Sequence, residues 1–132
     1  MNITYQTGII PPPEEISALY ESAGLKRPTT DLERMQLIYE NSNLVITAWD
    51  AIQLVGISRS TTDFYWSCYL ADLAVRKEYQ SSGIGKKLLE LTKEAVGDQC
   101  TLLLLSAPGA MEYYPKIGLE TVSNGFIIHR KQ

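Results

Sequence analysis

This chain of 132 residues has very little histidine and cysteine. It contains one histidine, His129, and two cysteines, Cys68 and Cys100, both within strand-like apolar runs. Neither cysteine has the spacing of a metal ligand. The sequence therefore predicts no metal site, and two buried thiols that act as small hydrophobic side chains rather than a disulfide.

Long apolar runs and a strong excess of charge are also missing. No stretch approaches the roughly 20 apolar residues that a membrane-spanning helix needs. Residues 1–6 lack the charged and then apolar layout of a signal peptide, which predicts a cytoplasmic location. The net charge of −3, from 12 basic and 15 acidic residues, argues against a general basic surface for nucleic acid. The length and the 45% of hydrophobic residues predict one globular domain spanning 1–132.

The hydrophobic period changes along the chain and predicts the element order β-α-α-β-β-β-α-β-α-β-β. A short strand and two helices come first; the first helix ends at Gly24 and the second begins with the capping-box pattern Thr30–Glu33. A hairpin follows from Asn43, and then one more long strand, Phe64–Val75. We expect a bulge or bend within that strand because it is longer than most strands.

The second half of the chain predicts two more helices and three more strands. A helix over 86–96 carries apolar residues at helical spacing and closes at Gly97. Thr101–Leu105 is apolar on both faces, which is typical of a central, covered strand. We expect a short helix over 108–116 and two closing strands, Leu119–Val122 and Gly125–His129.

Residues 80–86 form a glycine-containing turn between the strand Phe64–Val75 and the next helix, with the sequence QSSGIGK. Such a turn presents free backbone N–H groups of a helix N-terminus to an anion, usually a phosphate. Glycine at positions 83 and 85 lets the backbone come close to that anion. Lys86 and Lys87 oppose the helix dipole, a placement that an anionic ligand would reverse, although they could also be ordinary solvated lysines.

Two nucleotide-binding motifs do not fit this turn. A dinucleotide fingerprint needs a third glycine where Leu88 lies. A Walker A loop needs glycine in place of Gln80 and serine or threonine in place of Lys87. The pattern that remains is Gln-x-x-Gly-x-Gly, placed five residues after a strand that ends in Leu-Ala-Val.

That pattern resembles the acyl-CoA-binding motif of the GNAT superfamily of N-acetyltransferases, Arg/Gln-x-x-Gly-x-Gly/Ala between the fourth strand and the third helix. Residues 113–119 resemble a second segment of the family, aromatic-Tyr-x-x-x-Gly-aromatic, and the predicted element order matches the family from end to end. The resemblance implies an α+β fold in which helices flank a mixed, mostly antiparallel sheet.

The resemblance also implies a set of cofactor-binding residues. The turn amides would hold the pyrophosphate of CoA, and the backbone at the end of the preceding strand would pair with the pantetheine arm. The implied residues are Leu73, Ala74, Val75, Gln80, Ser81, Ser82, Gly83, Ile84, Gly85 and Lys86. Core packing of Leu73 and Val75 is compatible with this role, since the backbone binds while the side chains pack.

Tyr114 aligns with the family tyrosine that protonates the departing CoA thiolate. A phenol with a pKa of about 10 and a thiol with a pKa of about 8.5 are close enough for this transfer. The alternative is a packing role, because Ala110, Tyr113, Tyr114 and Ile117 also form an apolar stripe at helical spacing.

An N-acetyltransferase also needs a base that removes a proton from the acceptor amine, and this base is less evident. Many family members have a glutamate on the fourth strand, near Tyr69 and Ala71, and neither residue supplies a carboxylate. Asp72 should face the other way unless a bulge rotates it, and it is equally well explained as a structural hydrogen-bond acceptor. Deprotonation through water and backbone carbonyls, assisted by Tyr69 or Glu112, is the interpretation that remains. A family asparagine that contacts the cofactor is also replaced, at residues 107–108.

The resemblance therefore implies an N-acetyltransferase that moves the acetyl group of acetyl-CoA, its co-substrate, to a primary amine by direct transfer in a ternary complex. The expected acceptor pocket is lined by residues 24–31, 59–65 and 122–126. The acceptor, a small molecule or a peptide or protein amine, stays open, and dimers are common in the family. A non-catalytic CoA-binding sensor or interaction module is the alternative, because the strand-four glutamate is missing. A different nucleotide-binding α/β domain is a more distant one.

Overall fold

A mixed sheet of five strands is the centre of the fold in the computed structural model, which describes residues 2–132. The strand order is β1-β2-β3-β4-β5. Each neighbouring pair among β1 to β4 is antiparallel, whereas β5 is parallel to β4. This sheet, with helices on both faces, confirms the predicted α+β fold class. The strands are Ile3–Thr7 (β1), Leu44–Asp50 (β2), Gln53–Thr62 (β3), Ser67–Val75 (β4) and Thr101–Leu104 (β5).

Local sequence signals explain where the helices begin and end. The helices are Pro13–Ala23 (α1), Leu32–Glu40 (α2), Ile84–Val96 (α3) and Tyr113–Lys116 (α4), with 3-10 turns at Lys77–Tyr79 and Pro108–Ala110. Helix α1 has proline at its start and ends at Gly24, whose φ of 77° suits glycine. Helix α2 is capped by the carboxylate of Asp31, which accepts the amide of Arg34 at 3.0 Å, one residue after the expected cap at Thr30.

The two faces of the sheet are covered by different helices. Helices α1 and α2 pack on one face through Ile16, Leu19, Tyr20, Met35 and Tyr39. Helix α3 covers the other face through Ile84, Leu88 and Val96, and the buried, free Cys68 and Cys100 lie in this layer, as predicted. The α3 layer packs closely, since a Cβ atom on Gly56 of β3 would lie 3.1 Å from side-chain carbons of Ile84 and Leu88. Among residues 2–132, none of the helices has the length and apolar character to cross a membrane.

A bulge in β4 sets which side chains face which layer. Arg59 of β3 lies opposite Asp72, but the next residue, Ser60, lies opposite Leu70, so Ala71 is an extra residue on β4. This confirms the bulge expected from the length of the strand. The bulge reverses the alternation of side chains between the two faces of the sheet. Asp72 therefore faces the α1–α2 layer, whereas Leu73 and Val75 face the α3 layer.

The predicted strand Phe64–Val75 is shorter than expected at its N-terminal end. Phe64 has a positive φ of 68°, which a strand does not allow. The carboxylate of Asp63 accepts the amides of Tyr65, Trp66 and Ser67 at 2.7–3.1 Å. These bonds hold residues 63–66 as a loop, and β4 begins only at Ser67.

The predicted end of the sheet is wrong in two respects. The closing strands Leu119–Val122 and Gly125–His129 are not formed, and residues 119–132 have no regular secondary structure. Strand β5, predicted to be central, instead lies at the edge of the sheet. The physical reason is that a strand requires a hydrogen-bonded neighbour, and an apolar pattern shows only that a segment is suited to one. Within residues 2–132, β5 pairs with β4 alone.

Candidate active site

Strands β4 and β5 separate halfway along their length. They pair in parallel only between Ser67–Leu70 and Thr101–Leu104. After Leu104 the chain leaves the sheet for the 3-10 turn at 108–110. On the β5 side, residues 71–75 of β4 therefore have no strand partner, and their backbone edge is open.

This separation opens onto a cleft of about 640 Å³ between β4, the start of α3 and α4. Its lining combines apolar side chains with the backbone of the glycine-containing turn. The lining residues are Leu73, Val75, Tyr79, Gln80, Ser81, Gly83, Ile84, Gly85, Lys86, Gly109, Ala110, Tyr113, Tyr114 and Ile117. The predicted phosphate turn and the predicted catalytic tyrosine thus lie in one cleft, although they are far apart in sequence.

The turn before α3 presents free backbone amides to this cleft. Gly83 is the N-cap of α3 with a φ of 88°, and no side chain caps the helix. Within the described chain, the amides of residues 81–86 donate to no protein acceptor, and Lys87 is the first to bond, to the carbonyl of Gly83 at 3.0 Å. Ser81 also has a positive φ, 66°. A helix N-terminus with unpaired amides and partial positive charge is suited to an anion.

Side chains near the turn hold it against the end of β4. The side-chain amide of Gln80 donates to the carbonyl of Val75 at 2.9 Å, and the hydroxyl of Ser82 donates to the carbonyl of Tyr79. The hydroxyl of Tyr79 in turn donates to the carboxylate of Asp50 at 2.5 Å. Gln80 and Ser82 therefore position the turn with their side chains.

The predicted cofactor-binding residues divide into two groups in the structure. Eight of them line the cleft: Leu73, Val75, Gln80, Ser81, Gly83, Ile84, Gly85 and Lys86. Ala74 points its side chain into the core under α1 and α2, and Ser82 points toward Tyr79. Their roles in binding CoA stay predictions.

Gly85 leaves a narrow gap between β4 and α4. A Cβ atom at this position would lie 3.7 Å from the hydroxyl of Tyr113 and 3.7 Å from a methyl group of Val75. Without a side chain at 85, the gap stays open toward the free amides of the turn.

Tyr114 lines the cleft from α4 and packs against Tyr113. The two rings are edge to face, with centroids 5.1 Å apart and an interplanar angle of 71°. Burial raises the pKa of Tyr114, and the neighbouring Tyr113 raises it further. The phenol is therefore protonated at neutral pH and can donate a proton.

Tyr69 does not line this cleft. It lies opposite Thr61 of β3, before the bulge, so its side chain shares the α1–α2 face with Asp72. The structure thus separates Tyr69 from Tyr114, and any role of Tyr69 in deprotonation would be exerted from the other face of the sheet.

A buried charge network lies on that other face. Asp72 accepts hydrogen bonds from Arg27 and Arg59, both at 2.7 Å from Nε. The hydroxyl of Tyr20 also donates to Asp72 at 2.7 Å, and it is hydrogen-bonded to the hydroxyl of Tyr39. Burial alone would raise the pKa of Asp72, but the hydrogen bond and charge of Arg59 and the charge of Arg27 outweigh it and lower the pKa.

This network attaches the α1–α2 loop to the bulge of β4. Arg27 belongs to that loop and also donates to the carbonyl of the extra residue, Ala71, at 3.1 Å. Both carboxylate oxygens of Asp72 are bonded, so the side chain acts as a structural acceptor, the second of its two interpretations. The partnership of Arg27 with Asp72 was missed in the sequence, because nothing local to either residue indicates it.

Substitution of Gly83 by alanine tests whether the turn binds an anion. Gly24 is a matched control, since both glycines have a similar positive φ and no atom lies within 4 Å of the place that a Cβ would take. We expect each alanine to destabilise the fold by about 1–2 kcal/mol through the left-handed backbone. Only Gly83→Ala should also weaken CoA binding in calorimetry, by about tenfold, because the strain and the added methyl group disturb the free backbone amides of residues 81–86. Equal CoA affinities of the two variants would contradict an anion site at the turn.

Comparison with known proteins shows the family to which the chain belongs. A sequence profile described as an acetyltransferase (GNAT) domain matches residues 14–128. The chain therefore belongs to the GNAT family, as predicted.

Within residues 2–132, no cluster of three or more His, Cys, Asp or Glu side chains could hold a metal ion.

The relatives are distant in sequence. An uncharacterised N-acetyltransferase, ycf52, of Pyropia yezoensis is 28% identical over 113 residues, covering 79% of this chain and 62% of the relative. GCN5-related N-acetyltransferase 1, chloroplastic, of Arabidopsis thaliana is 23% identical, covering 90% of this chain and 63% of the relative. The chain thus spans somewhat over three fifths of the length of these curated relatives.

Solved structures share the fold at low identity. A probable acetyltransferase of meticillin-resistant Staphylococcus aureus superimposes with a TM-score of 0.83 at 23% identity, covering 98% of this chain and all of the other. An aminoglycoside N-acetyltransferase in complex with CoA gives a TM-score of 0.74 at 11% identity, covering 99% and 96% of the two chains. At these identities the likeness shows the fold alone.

Proposed function

We propose that this protein is an acetyl-CoA-dependent N-acetyltransferase that acetylates a primary amine by direct transfer within a ternary complex. One observation carries the proposal: the free amides of residues 81–86, the open edge of β4 and the side chain of Tyr114 meet in one cleft. Membership of the GNAT family supports it.

The cleft suits each part of the donor. The amides at the start of α3, with the charge of Lys86, fit a pyrophosphate. The open backbone edge of residues 71–75 fits the amides of a pantetheine arm, which can add to the sheet like a strand. When bound there, acetyl-CoA supplies a thioester, an acyl group already activated for transfer.

Tyr114 serves as the general acid in this proposal. The amine nitrogen forms a bond to the acyl carbon, the carbon–sulfur bond breaks, and Tyr114 donates its phenolic proton to the departing sulfur. Burial raises the pKa of Tyr114, so the phenol holds its proton at neutral pH, and the proton passes to the sulfur as the carbon–sulfur bond breaks.

The cleft offers no carboxylate that could remove the proton from the acceptor amine. None of the residues that line the cleft is aspartate or glutamate. We propose that the proton leaves through water and backbone carbonyls, with Glu112 or Tyr69 assisting. Both side chains lie outside the cleft lining, so water would have to connect them to the amine.

A thiol-release assay tests this function. Purified protein is mixed with acetyl-CoA and a panel of small amines, amino acids and peptides, and free CoA is followed with a thiol reagent. We expect thiol release above the hydrolysis background with at least one amine, and a product heavier by one acetyl group in mass spectrometry. Binding of acetyl-CoA in calorimetry without transfer to any amine would contradict it.

A non-catalytic CoA-binding module is the second candidate. The lack of a carboxylate in the cleft is the observation that favours it. It predicts the outcome just described, acetyl-CoA binding with no acetylated product. Thermal stabilisation by ATP or NAD but not by CoA would point instead to a different nucleotide-binding domain.

A further inference from the structure

Tyr79 supports the glycine-containing turn from its N-terminal side. Its carbonyl accepts the hydroxyl of Ser82, and its ring packs against the α3 layer and lines the cleft. Residues 80–83 belong to no helix or strand, and Ser81 and Gly83 have positive φ angles of 66° and 88°. A non-glycine residue such as Ser81 keeps a positive φ only where the surrounding structure holds it there. The conformation of the turn therefore depends on what holds Tyr79.

The short turn between β2 and β3 fixes the hydroxyl of Tyr79. That hydroxyl donates to the carboxylate of Asp50 at 2.5 Å, and the amide oxygen of Gln53 lies 3.4 Å away. Asp50 ends β2 and is paired with Gln53, the first residue of β3. A hydrogen bond to an ionised acceptor is shorter and about twice as strong as one between neutral groups. The bond to Asp50 raises the pKa of Tyr79, so the hydroxyl stays a donor at neutral pH.

Arg76 adds a second link between the same two parts of the chain. Its guanidinium donates to the carbonyl of Leu54 at 2.7 Å, and its amide donates to the carbonyl of Val55 at 2.8 Å. Both acceptors lie on β3, directly after the β2–β3 turn. The carbonyl of Arg76 accepts the amide of Tyr79 at 2.9 Å. The β2–β3 hairpin and the start of the glycine-containing turn thus form one hydrogen-bonded unit.

The carboxylate of Asp50 does not itself line the cleft. As a charge close to a bound pyrophosphate it would repel that group. The direction of its effect on binding therefore separates two roles. If Asp50 acted only as a nearby negative charge, its removal would strengthen the binding of CoA. If it held Tyr79 and the turn in place, its removal would weaken the binding.

We infer that Asp50 is a positioning residue for the donor: through the hydroxyl of Tyr79 it holds the turn in the conformation that binds the pyrophosphate of CoA. The inference rests on the proposed function, because it takes a CoA thioester as the ligand of the turn. In that proposal the pantetheine arm binds the open edge of β4 rather than the turn. Binding of the arm alone should therefore not depend on Asp50.

Two ligands that differ in the pyrophosphate test this inference. Calorimetry measures the affinity for CoA directly, and displacement of CoA measures the affinity for pantetheine, which has the arm but no phosphate. We expect Asp50→Ala to bind CoA about tenfold more weakly than the wild type, the usual scale for one lost hydrogen bond to a charged group. Its affinity for pantetheine should stay within about twofold of the wild type. Asp98→Ala, the same change on the exposed loop after α3, should keep both affinities.

Tyr79→Phe removes the same hydrogen bond from its other side and keeps the ring in the cleft lining. We expect the two single variants and the double variant to lose about the same affinity for CoA, because all three lack one and the same bond. Circular dichroism checks that each variant is folded. If Asp50→Ala does not fold, Tyr79→Phe carries the comparison of the two ligands by itself.

Three results would overturn the inference and leave the proposed function intact. The first is a variant that binds CoA as tightly as the wild type or more tightly. The second is a loss of affinity for pantetheine as large as the loss for CoA, which would indicate a general loosening of the cleft. The third is a double variant whose loss is the product of the two single losses. A wild-type protein that does not bind CoA would overturn the inference and the proposed function together.

Discussion

Replacement of Tyr114 by phenylalanine is expected to lower kcat for acetyl transfer by about 100-fold or more, which is the usual contribution of a general acid. The phenol lines the same cleft as the turn that begins α3, and burial raises its pKa, so it is protonated near neutral pH. Without it, the departing thiolate must take its proton from water. The affinity for acetyl-CoA, measured by calorimetry, should change by less than about threefold, because the ring and its packing remain.

Tyr113→Phe is the matched control for this variant. The two tyrosines are neighbours on α4, pack edge to face and line the same cleft, so removal of either hydroxyl makes the same chemical change. We expect Tyr113→Phe to retain most of the wild-type kcat. If both variants, or neither, lost activity, Tyr114 would have no specific role in proton donation.

The features that the sequence predicts well are local ones. The turn at 80–86 joins a strand to a helix within a short span, and its two glycines and missing cap are visible in the residues themselves. The structure places these amides and Tyr114 around one cleft. The bulge in β4 is predictable from strand length, but its position at Ala71 is not, because it depends on the register with β3.

The features that the sequence does not predict depend on contacts between distant residues. Arg27 and Asp72 are 45 positions apart, and their contact exists only because the bulge rotates Asp72 toward α1. The apolar pattern of Thr101–Leu105 predicts a central strand that is covered on both faces, and this prediction is wrong. The pattern does not say which other strands pair with the segment, and within residues 2–132 β5 pairs with β4 alone and lies at the edge of the sheet.

Substitution of Asp72 by asparagine is expected to lower the free energy of unfolding by about 3–5 kcal/mol, the usual effect of removing one partner from a buried ion pair. Asp72 is 2% exposed and is bonded by two arginines and a tyrosine. Asparagine leaves those arginines without a counter-charge, and it weakens the attachment of the α1–α2 loop to the β4 bulge, where the hydrogen bond from Arg27 to the carbonyl of Ala71 remains. Denaturant unfolding measures the change, and Asp98→Asn, on the exposed loop after α3, should stay within about 0.5 kcal/mol of the wild type.

The pH dependence of stability gives the same prediction a second readout. The pKa of Asp72 is lower in the folded state than in the unfolded state, because the bonds and charges of the arginines favour the carboxylate. Its contribution is therefore complete above the unfolded pKa of about 3.9 and is lost as the pH falls toward the folded pKa. Between about pH 5 and pH 2, wild type should lose more stability than Asp72→Asn, which has no carboxyl group to protonate. Parallel pH profiles for the two proteins would show that Asp72 is not held as a buried carboxylate, and that the loop is attached to β4 by its neutral hydrogen bonds alone.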